Sequence, residues 1–85
     1  MAGKYTPLSN YLKNIPASQK EITLTFGKIE EVLCDKLPIS SGRYIAWWNN
    51  ELEGAHVQAH GWMDACWRVD TVNLTNCWVR FTREK

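Results

Sequence analysis

The chain has little that would mark an enzyme or a membrane protein. It contains no Gly-rich phosphate loop, no C-x-x-C and no Cys/His pair at zinc spacing. No paired carboxylates stand in a recognisable catalytic context. No apolar run approaches the roughly 18 residues that span a bilayer. The start, Met1-Ala2-Gly3-Lys4-Tyr5, lacks the apolar core of a signal peptide. These absences lead us to expect a cytoplasmic, non-catalytic protein with no cofactor and no membrane partner.

Cysteine is scarce and odd in number: Cys34, Cys66 and Cys77. An odd count without a secretion signal argues against a disulfide framework. Cys66 and Cys77 fall on apolar faces of the pattern, so buried, protonated thiols are expected. An excess of one charge is also missing. Lys and Arg number 10 against 9 Asp and Glu, a net charge of +1. That balance excludes a strongly basic nucleic-acid binder. His56 and His60, four apart, share a helix face with Asp64 and could begin a metal site, but no further ligand set follows. Ordinary surface histidines are the simpler reading.

What is present is tryptophan. Five occur in 85 residues: Trp47, Trp48, Trp62, Trp67 and Trp78. A single small domain spanning 1–85 has room for two or three in its core. The rest must be partly exposed, and each needs a partner for its indole N–H. Exposed Trp beside Arg, Asn, Gln and His is recognition chemistry.

The pattern of the chain supplies the elements. Thr6 and Pro7 suit a helix start, with Thr6 as cap. Leu8, Tyr11, Leu12 and Ile15 then recur at helical spacing until Pro16 stops them. Ile22 to Thr25 reads as a short half-buried strand. Thr25 caps a second helix with Phe26, Ile29 and Leu33 on its apolar face. Residues 40–50 fit a short helix or turn, with Tyr44, Trp47 and Trp48 at i, i+3, i+4, or a strand with Tyr44, Ala46 and Trp48 on one side. A further helix is expected from Ala55 to Ala65, burying Ala59, Trp62, Met63 and Cys66 and presenting Gln58, His60, Gly61 and Asp64 to solvent. Gly61 in mid-helix costs about 1 kcal/mol relative to Ala, which suggests that something approaches it closely. From Trp67 the period becomes two. Trp67, Val69 and Thr71 form one side of a strand, and Cys77, Val79 and Phe81 one side of the next, about a turn at Asn73–Asn76.

The order is α-β-α-α-β-β. The fold class expected is α+β, of winged helix-turn-helix type. It has three helices and a three-stranded antiparallel sheet made from the short strand and the C-terminal hairpin. In that architecture the helix before the hairpin enters the major groove and the hairpin touches the backbone or the minor groove.

Particular residues also point to a family. Leu24-Thr25-Phe26 with Ile29-Glu30, Leu37-Pro38 with Ser40, Ala46-Trp47-Trp48-Asn49, Gln58-Ala59 with Trp62, and Trp67-Arg68-Val69 resemble a set of small, mostly uncharacterised prokaryotic domains. The resemblance covers about residues 5 to 82. Those relatives tend to carry Ala-Gly before the final Trp, where this chain has Ala65-Cys66. The resemblance implies a compact stand-alone domain and supplies no activity.

Two binding readings follow. In the first, the chain binds nucleic acid, most simply duplex DNA. Base edges and phosphates are read by Arg, Lys, Asn and Gln. His56, Gln58 and His60 on the penultimate helix, Arg43 and Asn49 just before it, and Arg68 and Arg80 on the hairpin form the candidate surface. Trp47 and Trp48 cannot both face the core. Trp47 aligns with Tyr44 and is assigned inward, leaving Trp48 to stack on a base (a modified or flipped one included) or to contact a partner. The bland counter-reading packs both tryptophans in the core and leaves the polar residues merely solvated. In the second reading the chain is a protein–protein module or homodimer of a phage or mobile-element system, acting through exposed Trp, Tyr and Arg. An enzyme using the cysteines and histidines is the remaining class, and no signature supports it.

Overall fold

The computed structural model describes residues 4–50 and 57–83. Helix α1 covers Thr6–Lys13, strand β1 Glu21–Thr25 and helix α2 Phe26–Leu33. Two 3-10 turns follow at Ile39–Gly42 and Ile45–Trp48, and a third at Val57–Ala59. Helix α3 is His60–Met63, and strands β2 and β3 are Trp67–Asn73 and Trp78–Arg83. The architecture is α+β, with three helices and one three-stranded antiparallel sheet in the order β1-β3-β2. The opening strand lies against the closing one, with Ile22 opposite Phe81 and Leu24 opposite Val79.

Local chemistry accounts for most boundaries. The Thr25 hydroxyl accepts the Lys28 backbone N–H at 3.0 Å and fixes the start of α2 as a side-chain cap does. The start of α1 differs from expectation. Thr6 is already helical, and Tyr5 holds the cap position with no cap hydrogen bond from its own side chain. Pro7, whose ring suits the first helical turn, remains the start signal.

Five aromatic rings organise the interior. Phe26 stacks on Trp48 at 5.1 Å, Trp48 on Trp62 at 5.7 Å, and Trp62 leans on Phe81 at 5.8 Å. The column runs from α2 through the second 3-10 turn and α3 to the sheet. Trp67 joins the same core. Each buried indole N–H has an acceptor: Trp48 donates to the Ser41 carbonyl at 2.9 Å, Trp62 to Asn50 Oδ1 at 2.9 Å and Trp67 to the Leu12 carbonyl at 3.1 Å. Tryptophan is thus used here to fill a thin core while keeping its donor satisfied.

The pair Trp47–Trp48 is reversed from the sequence expectation. Trp48 is 2% exposed, while Trp47 is half-buried and meets Tyr5 edge-on at 6.0 Å. Tyr44 precedes the 3-10 turn in extended backbone (φ −126°, ψ 119°), so the helical alignment of Tyr44 with Trp47 does not apply. Tyr44 lies outside the core, exposed.

The penultimate helix is also shorter than expected. Residues 55 and 56 lie outside the described residues, 57–59 form a 3-10 turn and α3 holds four residues. It ends because Cys66, at φ 65°, turns the chain into β2. Gly61 faces α1 rather than solvent. A Cβ there would lie 3.0 Å from Tyr5 Cβ and 3.3 Å from Leu8 Cδ2. The close approach anticipated at this glycine comes from the first helix.

The hairpin contains a bulge between Val69 and Thr71. It moves Thr71 to the outer face opposite Arg80 and brings Val72 inward opposite Val79. The strict alternation Trp67, Val69, Thr71 therefore fails at its third member. Cys34, Cys66 and Cys77 are all exposed, at φ 56°, 65° and 58°. Cys34 ends α2, and Cys66 and Cys77 immediately precede β2 and β3, all in the left-handed region, so the expectation of buried thiols is corrected.

Candidate interaction surface

The anticipated site residues separate into three places. Trp48 and Gln58 belong to the interior. Trp48 is sandwiched between Phe26 and Trp62 and cannot offer a face to a base. Gln58 is 6% exposed, and its Nε2 donates to the Trp47 carbonyl at 2.9 Å, tying the third 3-10 turn to the second. A buried amide committed to backbone in this way is structural. His56 lies outside the described residues. His60 is exposed on α3, with Nδ1 3.0 Å from Asp64 Oδ1, a pairing within one turn.

Arg68 and Arg80 occupy the outer face of the sheet, where Thr82 pairs with Arg68 and Thr71 with Arg80. Arg80 is engaged. Its Nε donates to Asp70 Oδ2 at 3.1 Å, its Nη2 to Thr71 Oγ1 at 3.2 Å, and Glu21 lies 4.0 Å away. The Thr71 hydroxyl and the Arg80 guanidinium together hold the Asp70 carboxyl below its usual range. Arg83, also on the hairpin, is turned back onto the fold. It covers Trp67 at 4.4 Å and donates to the carbonyls of Ile15, Pro16 and Gln19 at 2.8, 2.8 and 2.9 Å. Lys4 and Lys28 each lie within 4 Å of a carboxylate, Asp35 and Glu31.

Arg43 and Asn49 remain on the surface, on the segment that carries the two 3-10 turns. This segment displays Ile39, Tyr44 and Ile45 at 77%, 60% and 58% exposure. In the sequence these three residues flank Arg43 within seven positions, the local signal for this face. The backbone beneath is held firmly. Ser41 Oγ donates to the Pro38 carbonyl at 2.7 Å, the Tyr44 N–H to the Ser40 carbonyl at 3.0 Å and the Trp48 indole to Ser41. The buried Trp48 is therefore the post on which the exposed turn stands.

Beside Ile45 a cleft of about 280 Å³ opens, lined by Ile45, Trp48, Asn49, Asn50, Val69, Asp70 and Val72. Among the described residues no group of three or more His, Cys, Asp or Glu side chains could hold a metal ion. No helix among them is long and apolar enough to cross a membrane.

These features define a small α+β domain with a rigid, partly apolar turn on its surface. The chain belongs to the family described as a domain of unknown function (DUF7662), whose model matches residues 5–84. No curated protein and no solved structure matches the chain.

Proposed function

We propose that the protein is a non-catalytic interaction module that docks a protein surface through the turn face Ile39–Ile45. One observation carries this reading: three large apolar side chains stand 58% or more exposed around Arg43, on backbone pinned by the buried Trp48. Scattered apolar residues on a surface need no explanation, but a cluster on a rigid support does. Tyr, Ile and Arg on a preorganised backbone lose little entropy on docking, and Tyr and Arg are favoured at binding hot spots.

The element order and the pairing of β1 with β3 are those of winged-helix domains, and that likeness is part of the proposal. A fold does not choose between DNA and protein as partner. The side chains favour protein. A groove-reading helix needs an outward polar face, whereas α3 has four residues with Gly61 and Trp62 buried. The cations Arg80 and Arg83 already have internal partners. Arg43 and Arg68 are left for phosphate, with the exposed lysines Lys13, Lys20 and Lys36.

The test pairs two measurements. Affinity capture from lysate of the source cell compares the native chain with Ile39→Asp and Ile45→Asp. Proteins retained by the native chain, a further copy of it included, should be lost in both variants. A titration against mixed-sequence duplex DNA at two salt concentrations should show no saturable, salt-sensitive binding. Tight binding that collapses with salt and with Arg43→Ala or Arg68→Ala would establish the DNA reading instead.

A further inference from the structure

We propose that the occupant of the Ile39–Ile45 face is a second copy of this chain, related to the first by a two-fold axis. This rests on the reading of that face as a protein-docking surface and names its partner. A two-fold interface requires one surface to be complementary to itself. Here both halves of such a fit lie on one segment. Tyr44 projects, 60% exposed, and Ile39 stands exposed in the preceding turn. The cleft beside Ile45 recedes, walled by Val69 and Val72 over Trp48, with room for one aromatic ring. Ile45 belongs to both the knob and the hole.

The polar groups agree with this occupant. Three hydrogen bonds hold the Asn50 amide in the cleft to its own chain. Its Oδ1 accepts from Trp62 and from the Val69 N–H, and its Nδ2 donates to the Val69 carbonyl. One N–H of its Nδ2 is left for a group entering the cleft. Two opposite charges remain. Arg43 has no carboxylate partner among the described residues. Asp70 is engaged by Thr71 and Arg80 through Oδ2 alone, which leaves Oδ1 open. In the proposed pairing Arg43 of each chain meets Asp70 of the other across the two-fold axis, so the attraction is made twice. A net charge of +1 imposes little repulsion between copies.

Sedimentation equilibrium of the full chain, from low to high micromolar concentration, tests the proposal. The native chain should follow a monomer–dimer equilibrium, and Ile45→Asp should be monomeric throughout. Arg43→Asp and Asp70→Arg should each weaken dimerisation by about tenfold or more, because like charges then meet across the axis. The double variant should recover most of the loss. Circular dichroism of Arg43→Asp, altered only at an exposed residue, should match the native chain, so its effect is not one of folding. A chain that is monomeric at every concentration overturns the proposal. So does a dimer indifferent to Ile45→Asp, or one in which the double reversal fails to rescue. If the chain is monomeric yet still captures another protein in an Ile45-dependent manner, the docking face stands and the second copy is wrong.

Discussion

Asn50 closes the free edge of β2 through Val69. Its Oδ1 accepts the Val69 N–H at 2.8 Å and its Nδ2 donates to the Val69 carbonyl at 3.0 Å. One side-chain amide thus makes both bonds that a neighbouring strand would make. The same Oδ1 also receives the Trp62 indole at 2.9 Å. At the other edge the Gln19 amide donates to the Glu21 carbonyl at 3.0 Å. Unpaired edge groups template aggregation, and side chains that occupy them are one protection.

Asn50→Ala should therefore cost about 2–3 kcal/mol, since the Trp62 donor and the Val69 backbone groups lose their partner together. Urea unfolding measures the loss. Thioflavin binding on prolonged incubation should rise in the variant. A change under about 0.5 kcal/mol, the level of an ordinary surface substitution, would mean that water replaces the amide at no cost.

The three cysteines at positive φ predict a stabilising series. A side chain in the left-handed region costs about 1–2 kcal/mol, and glycine avoids it at some cost in unfolded-chain entropy. Cys34→Gly, Cys66→Gly and Cys77→Gly should each gain about 0.5–1 kcal/mol. The native thiols should all react with a disulfide reagent without denaturant, because all three are exposed. Protection of any one until unfolding would contradict its place in the fold.

Arg83 predicts a failure of conservative replacement. Its fork reaches three carbonyls and lies over Trp67, a geometry that a lysine ammonium does not reproduce. Arg83→Lys should lose about 1–2 kcal/mol and Arg83→Ala more. Thermal unfolding of the two variants at equal concentration decides it. Equal stability of native and Lys forms would reduce the contact to simple charge.

Asp70 carries a pH prediction. Its carboxyl is held low by Thr71 and Arg80, so its folded-state pKa lies below that of the unfolded chain. The contribution is fully present above the unfolded value and is lost as pH falls through the folded one. Stability plotted against pH should fall less steeply on the acid side in Asp70→Asn than in the native chain. Parallel curves would show that the carboxylate contributes nothing to folding.

The parts of the fold legible in the sequence were those set by local rules. Thr25 announced α2 because a hydroxyl before an apolar helical face has one economical use. Val79 and Phe81 announced β3 through simple alternation. The rest depended on contacts distant in the chain. Nothing near Trp48 says that its indole will find the Ser41 carbonyl, or that 3-10 geometry will turn it inward in place of Trp47. Gln58 looked like a reader until the Trp47 carbonyl claimed its amide. The bulge that turns Thr71 outward, where Arg80 meets it, breaks the alternation without a glycine to mark it. The cysteines misled because thiols favour burial, while the backbone at all three positions demanded a residue tolerant of positive φ. Arg43 and Asn49 lie on the surface, and Tyr44, expected to align inward with Trp47, is exposed there too.

The central claim is that the exposed turn carried by Trp48, and not α3, is the recognition surface. Amide and indole NMR spectra over a dilution series of the native chain test it most directly. Shifts should move for Ile39, Arg43, Tyr44 and Ile45 and for Val69 to Val72 along the cleft. The indole signals of Trp62 and Trp67 should stay fixed. Spectra unchanged by dilution would remove only the second copy as occupant; shifts confined to His60–Met63 or to the outer sheet residues Arg68 and Arg80 would contradict the account.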